Sequence, residues 1–301
     1  MSVRDRSGSR ARTEGQTMTE TNDRGGAVRV TGLYRYPIKS CRGQALAAAD
    51  FDHRGIAHDR EFVIVTPDGT FLTQRQLPRM ALIAPELIDG GIRVAAPGMG
   101  PITVERRVEG DRLWVEIWKD RAVGIDQGDG IAAWLSAFLG LPVRLARMAE
   151  DHVRQVDQTY ARPDDQTGFS DGYPILLVTE ESLAELNRRL VGRGEAALPM
   201  DRFRPNIVVA GGGVPNEEDT WGDVRIGDVS LHGVKLCARC AITTTDQQTA
   251  ETSKEPLRTF AGYRKFPRGV MFGQNMTFDA PGSMAVGDTV AVMSRVDLAL
   301  V

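Results

Sequence analysis

The sequence predicts a mainly β protein carrying a few helices, of the α+β class, and three observations lead there. Short apolar alternations recur along most of the 301 residues. Gly reaches 32 while aromatics are only 6%, a composition of many turns between short strands rather than long helical bundles. Helical spacing of apolar residues is clear in two places alone.

Taken in order, residues 1–27 are rich in Ser, Gly, Thr and Arg, with almost nothing able to pack, and are expected to be a disordered tail. Alternation then predicts strands over 28–33, 61–65, 71–75, 81–87, 92–95, 102–108 and 113–118. Thr66-Pro67-Asp68-Gly69 supplies a fixed φ and a permissive glycine, the makings of a hairpin turn. Ile131, Leu135, Phe138 and Leu139 mark a helix before Gly140, and Leu183, Leu186 and Leu190 mark another ended by Gly192 and Gly194. Strands follow over 206–210, 224–226, 229–236, 271–278 and 289–293, with Gly227-Asp228 and Gly287-Asp288 as turns. The first half reads as a small barrel or folded sheet, and the second is again mainly β.

Lys and Arg total 37 against 40 Asp and Glu, a formal charge of -3 that gives no electrostatic basis for binding nucleic acid or an anionic membrane. No apolar stretch has bilayer length, and the first residues lack the apolar block of a secretion signal, so a cytoplasmic protein is expected. Cys41, Cys237 and Cys240 are too few, and odd in number, for a disulfide framework.

Three clusters could carry chemistry. Cys237-Ala238-Arg239-Cys240 ends a predicted strand and leads into Thr243, Thr244, Thr245 and Asp246. A structural zinc site would need a second ligand pair, and a thioredoxin-like pair would need a following helix; neither is present in the pattern. A single reactive or metal-binding thiolate and inert packed thiols both stay open, with Arg239 and the polar run favouring the first. Lys39 and Ser40, within Tyr36-Pro37-Ile38-Lys39-Ser40-Cys41-Arg42-Gly43, join Arg60 in offering the charge and donors an oxyanion needs, though a solvated turn would look the same. No nucleotide loop of the GxxxxGK[ST] kind exists, and Gly211-Gly212-Gly213 lacks a dinucleotide spacing. In Met200-Asp201-Arg202-Phe203-Arg204-Pro205-Asn206, two arginines alternate around Phe203 as the chain enters a strand, so they are expected to point to different sides. A plain ion pair such as Arg202 with Asp201 competes with a binding role.

Taken together, YPIKSCRG, Thr73 to Gln76 (TQRQ), DRFRPN, CARC with TTTD, and Lys254 to Phe260 (KEPLRTF) occur in an order that resembles the MOSC family with its N-terminal β-barrel domain, over about residues 28–294. The amidoxime-reducing components and the bacterial reductases of N-hydroxylated compounds are the most similar members. The resemblance implies an N-terminal barrel domain at 28–150 interlocked with a MOSC domain at 151–301. It implies a molybdenum-pterin cofactor, with the metal ligated by the second cysteine of the CxxC, here Cys240, while Cys237 has no required bond to it. Cofactor contacts carry over to Lys39, Ser40, Arg60, Arg204 and Asn206. The implied reaction is reduction of a small N-hydroxylated or N-oxygenated molecule. It needs protons, for which Asp171 and Asp246 are candidate donors or relays, although a solvated or capping role is the plainer reading of each. Electrons would come from a separate protein of ferredoxin or cytochrome/flavin reductase type, since the chain lacks cysteines for an iron–sulfur cluster. Gly172 and Tyr173 stand where animal members have small hydroxyl residues, so access to the site is expected to differ. A persulfide-based sulfur-transfer or cofactor-carrier role for Cys240 is the alternative, and a noncatalytic binding module the third reading.

Overall fold

A computed structural model describes residues 26–296; of the expected tail, all but Gly26 and Ala27 lies outside the described residues. The larger sheet has the strand order Val290–Val292, Asp223–Ile226, Val229–Ala238, Gly269–Phe278, Ile175–Thr179, Ile207–Ala210, Arg29–Arg35, Gln44–Leu46. Its one parallel pair along this order is Ile175–Thr179 beside Ile207–Ala210, with Leu177 opposite Ile207. A parallel pair needs a crossover. Helix α1 (Asp129–Leu139) belongs to the first half, and helix α2 (Glu180–Val191) provides this one. α2 starts where Thr179 accepts a hydrogen bond from Ser182 N, and it carries Glu180 and Glu181 in its first turn and Arg188 and Arg189 in its last, matching the helix dipole at both ends.

The first strand serves both halves of the chain. Leu33 lies opposite Ile207 in the larger sheet. At its start Val30 N donates to Asp288 O (2.9 Å) and Gly287 N to Val30 O (2.8 Å), which draws the far edge of the sheet around to meet it. Closure of this kind removes a free strand edge. The interior is apolar, with Leu33, Ile175, Leu177, Ile207, Trp221, Leu231 and Met276 buried together.

The first half adds an antiparallel sheet ordered Phe62–Val65, Arg144–Met148, Asp120–Asp126, Arg112–Ile117, and a meander of Ala84–Ile88, Gly91–Ala96 and Met99–Glu105. Helix α1 places Ile131, Leu135, Phe138 and Leu139 against Phe62, Ile64, Met80 and Ile92. It stops at Gly140, which is left-handed (φ 79°) and donates to Ser136 O.

Three expectations need correction. Residues 71–75 form no strand: Phe71 makes one bridge to Val65, and Thr73 O then accepts from Gln76 N and Leu77 N to close a tight turn. Residues 81–87 are a strand only from Ala84, because Pro78 opens a 3-10 helix over Pro78–Leu82. The two arginines around Phe203 do not alternate along a strand: Met200–Arg202 is a 3-10 turn, the strand begins at Ile207, and both arginines are buried. Arg202 pairs there with Asp246 (2.8 Å), not with Asp201.

Candidate functional site

Lys39, Ser40, Arg60, Arg204, Asn206 and Cys240 all line one cleft of about 330 Å³. The turn after Tyr36 carries the first two, fixed by Lys39 N donating to Phe62 O (2.8 Å). Ser40 (φ 63°), Arg60 (φ 46°) and Arg204 (φ 55°) are each left-handed. That conformation costs a residue with a side chain roughly 1–2 kcal/mol, so three at one cleft mark a backbone held in place by its surroundings.

Tyr36 organises two of these cations. Its buried ring is in cation–π contact with the guanidinium carbons of both Arg60 (4.3 Å from the centroid) and Arg204 (4.2 Å). The phenol donates to Pro205 O (3.0 Å), and the backbone N of the same residue donates to Asp59 Oδ1 (2.8 Å). Arg60 donates to Asp59 Oδ2 (2.5 Å) and Asn206 Oδ1 (3.0 Å). The Asn206 amide is committed to the fold, accepting also from Leu176 N and donating to Tyr34 O, so at this site it orients Arg60. Arg204 Nη1 donates to Cys41 O (2.7 Å), while its Nη2 is buried without a partner among the described residues. Burial works against the Arg204 charge and pulls its pKa down. A buried cation with a spare donor is the arrangement that an incoming anion relieves.

On the other side of the cleft, Lys39 Nζ donates to Phe169 O (2.7 Å) and Asp171 Oδ1 (2.5 Å). Burial lowers its pKa to about 8, against the opposing pull of Asp171. Burial would raise the Asp171 carboxyl, but Lys39 and Arg75 outweigh it and hold it well below the usual range. Arg75 Nη2 donates to Asp171 Oδ2 (2.8 Å) and to Cys240 Sγ (3.1 Å). Cys240 follows the strand Val229–Ala238 and precedes a 3-10 turn over Ala241–Thr244, so the expected passage from strand to polar loop is observed. Cys237 also lines the cleft and accepts from Arg239 (2.9 Å). Asp246 does not line it: its carboxylate takes Arg202 and the backbone N–H groups of Gln248 and Thr249.

Among the described residues, six cations line this cleft (Lys39, Arg60, Arg75, Arg204, Lys235, Arg239) against one acid, Asp171, in a chain of net charge -3. The site can therefore hold a multiply charged anion at one end and present a sulfur at the other. Sequence reasoning did not assign Arg75 or Tyr36 to it. Both stand inside motifs that drew attention, TQRQ and YPIKSCRG, but neither spacing says which distant groups they meet.

Comparison with known proteins agrees with this architecture. The family described as MOSC N-terminal beta barrel domain matches residues 27–142, and the MOSC domain matches residues 164–291. Mitochondrial amidoxime-reducing component 1 of Mus musculus is 34% identical over 299 residues, covering 88% of this chain and 82% of that protein. Its Homo sapiens counterpart is 33% identical, covering 88% and 83%. The molybdenum cofactor sulfurase of Oryza sativa subsp. japonica is 30% identical over 84% of this chain but only 33% of its own length. With both domains matched in order and relatives alike over most of their length, the chain belongs to the MOSC family, in the group that couples an N-terminal MOSC β-barrel domain to the MOSC domain.

Proposed function

We propose that the chain is a cytoplasmic molybdenum-dependent reductase of small N-hydroxylated or N-oxygenated molecules, with Cys240 as the protein ligand to the metal of a molybdenum-pterin cofactor. The names of the amidoxime-reducing relatives support the substrate class. The observation that carries the reading is the placement of Cys240, half-buried like its neighbour Cys237, in one cleft with six cations, of which Lys39 and Arg204 are buried. The residues fit the group: the spare N–H of Arg204, the charge of Lys39 and Arg60, and the Ser40 hydroxyl would hold the pterin's phosphate end, and a soft thiolate suits molybdenum. When bound, the cofactor supplies the two-electron chemistry that an N–O bond requires.

The reduction also consumes protons. Asp171 is held ionised by Lys39 and Arg75, so at neutral pH it has no proton to give, and Asp246 sits outside the cleft. Lys39 lines the cleft, and burial brings the pKa of its ammonium down to about 8, which makes it a candidate donor. Electrons arrive from a separate protein. Similarity to a cofactor sulfurase keeps persulfide transfer on Cys240 as the second reading.

The test is molybdenum and pterin content per chain in protein from a cofactor-competent host, together with dye-driven reduction of an amidoxime. Wild type should carry the metal and turn over; Cys240→Ser should lose turnover by about 100-fold or more, and Cys237→Ser should keep its metal. Equal losses in the two variants would remove Cys240 from its assigned place. Labile sulfur on Cys240 without turnover would favour sulfur transfer.

A further inference from the structure

Trp118 occupies a position that local preference would give to another residue. Ile117 pairs with Asp120, so Trp118 and Lys119 form a two-residue turn between the strands Arg112–Ile117 and Asp120–Asp126. Trp118 is left-handed there (φ 54°) and its side chain is 55% exposed. Such turns favour Gly, Asn or Asp at positive φ, and a large exposed indole gains little from burial. A residue that breaks the local rule needs a compensating contact.

The contacts lead to the sulfur. The indole lies against the Arg75 guanidinium (4.7 Å from the ring centroid), edge-on to Phe71 (5.1 Å), with Nε1 donating to Asp171 Oδ1 (3.4 Å). The neighbouring residue in the turn is anchored independently. Gln74 Nε2 donates to Ser40 O (2.8 Å), and its amide exchanges hydrogen bonds with that of Gln247 (3.0 Å each way). Arg75 thus leaves a fixed turn and is braced along its face. Nη2 has two protons, and its two acceptors are Asp171 Oδ2 and Cys240 Sγ.

We propose that Arg75, braced by Trp118, is a positioning residue for Cys240, and that through it the first half of the chain sets the donor strength of the sulfur. The role at the metal rests on the function proposed above; the Arg75–Cys240 pairing itself does not. An N–H directed at a thiolate withdraws electron density and fixes the direction of its lone pairs. Hydrogen bonds to ligating sulfurs are among the means by which proteins tune metal potentials.

Two measurements test this. In the full-length cofactor-free protein, a double-mutant cycle in urea compares Arg75→Met, Cys240→Ala and the double variant. Losses of unfolding free energy that fail to add support the pairing, and additive losses overturn it. In loaded protein, Arg75→Met should keep its cofactor, shift the metal's midpoint potential downward and lower kcat roughly 10-fold with KM little changed. Arg75→Lys should restore part of the shift, and Trp118→Leu should move the potential the same way by less. An unchanged potential in both Arg75→Met and Trp118→Leu would overturn the tuning role even if the cycle showed coupling. Wild-type protein that holds no metal in a cofactor-competent host would overturn the proposed activity instead, and the cycle would still decide the pairing.

Discussion

Two polar cavities stand on either side of the Asp59–Arg60 segment, and their charge content differs. The cleft in front holds six cations and one acid. The cavity behind, about 280 Å³, brings Arg54, Arg106 and Arg147 together with Asp52, Asp59, Glu61 and Glu150. The wall between them is thin: a Cβ on Gly168 would lie 2.9 Å from Arg60 O and 3.1 Å from Asp59 O, so only glycine permits this approach. Behind the wall, Arg147 Nε donates to Glu61, Arg147 Nη2 donates to Glu150 (2.9 Å), and His58 meets Glu61 at 2.8 Å. Burial would raise the Glu61 carboxyl, but His58 and Arg147 bring it below its ordinary value. Arg147 Nη1 has no partner among the described residues, yet its guanidinium charge is already met by two carboxylates. In front, Arg204 has a spare donor and no carboxylate partner among the described residues. Buried arginines alone therefore do not mark a binding site; the distinguishing feature is a charge for which the fold supplies no counter-ion.

This contrast can be broken most directly at its two arginines. Arg147→Ala leaves buried Glu61 with His58 and the more distant Arg106 (3.8 Å) as its partners and should cost up to about 3–5 kcal/mol of unfolding free energy in urea, while the molecules that remain folded keep their cofactor content. Arg204→Ala should do the reverse. Its loss removes a charge the empty fold does not neutralise, so stability should fall by less than in Arg147→Ala, whereas pterin retained after gel filtration should drop about 10- to 100-fold. Matching stability losses in the two variants would show that the two cavities are both structural.

The difference between the cavities also bears on what could be read from the sequence. Turn chemistry made several strands legible: Gly227-Asp228 separates Asp223–Ile226 from Val229–Ala238, within a residue or two of expectation. Both helices followed from their apolar spacing, and the cations expected near an oxyanion do share a cleft with Cys240. Ile175–Thr179 was missed because all five residues are buried, which leaves no alternation to detect. Arg144–Met148 was missed for the opposite reason: half-buried Arg144 pairs with Asp126 and buried Arg147 with Glu61, so a core strand looks polar. Residues 71–75 imitate alternation, but the Gln76 side chain accepts from Thr73 N (3.1 Å) and helps close a turn. Arg75 meets Cys240 across 165 positions of chain, a contact that no local period encodes.

A finer test of the same contrast uses pH, because a cation whose charge burial disfavours, as it does that of Lys39 despite Asp171, should show opposite pH trends in the stability of the fold and in its hold on an anion. Burial holds Lys39 near 8 in the fold, whereas an unfolded lysine titrates near about 10.4. Between these values the unfolded chain binds more protons than the native one, so the Lys39 contribution makes the empty protein more stable as pH rises. Anion retention moves the other way, since the charge that holds an anion is present below about 8 and lost above it. Cys41 complicates the raw curve: burial pushes its thiol up to about 12, so its contribution to stability falls as pH rises past the ordinary thiol range. The quantity to measure is therefore wild type minus Lys39→Met. Between about pH 8 and 10 that difference in unfolding free energy should rise with pH, while wild type should lose bound pterin a few-fold and Lys39→Met, already weaker, should not change. A difference that stays flat would mean that Asp171 alone neutralises Lys39, and that the excess charge of the cleft rests on its arginines.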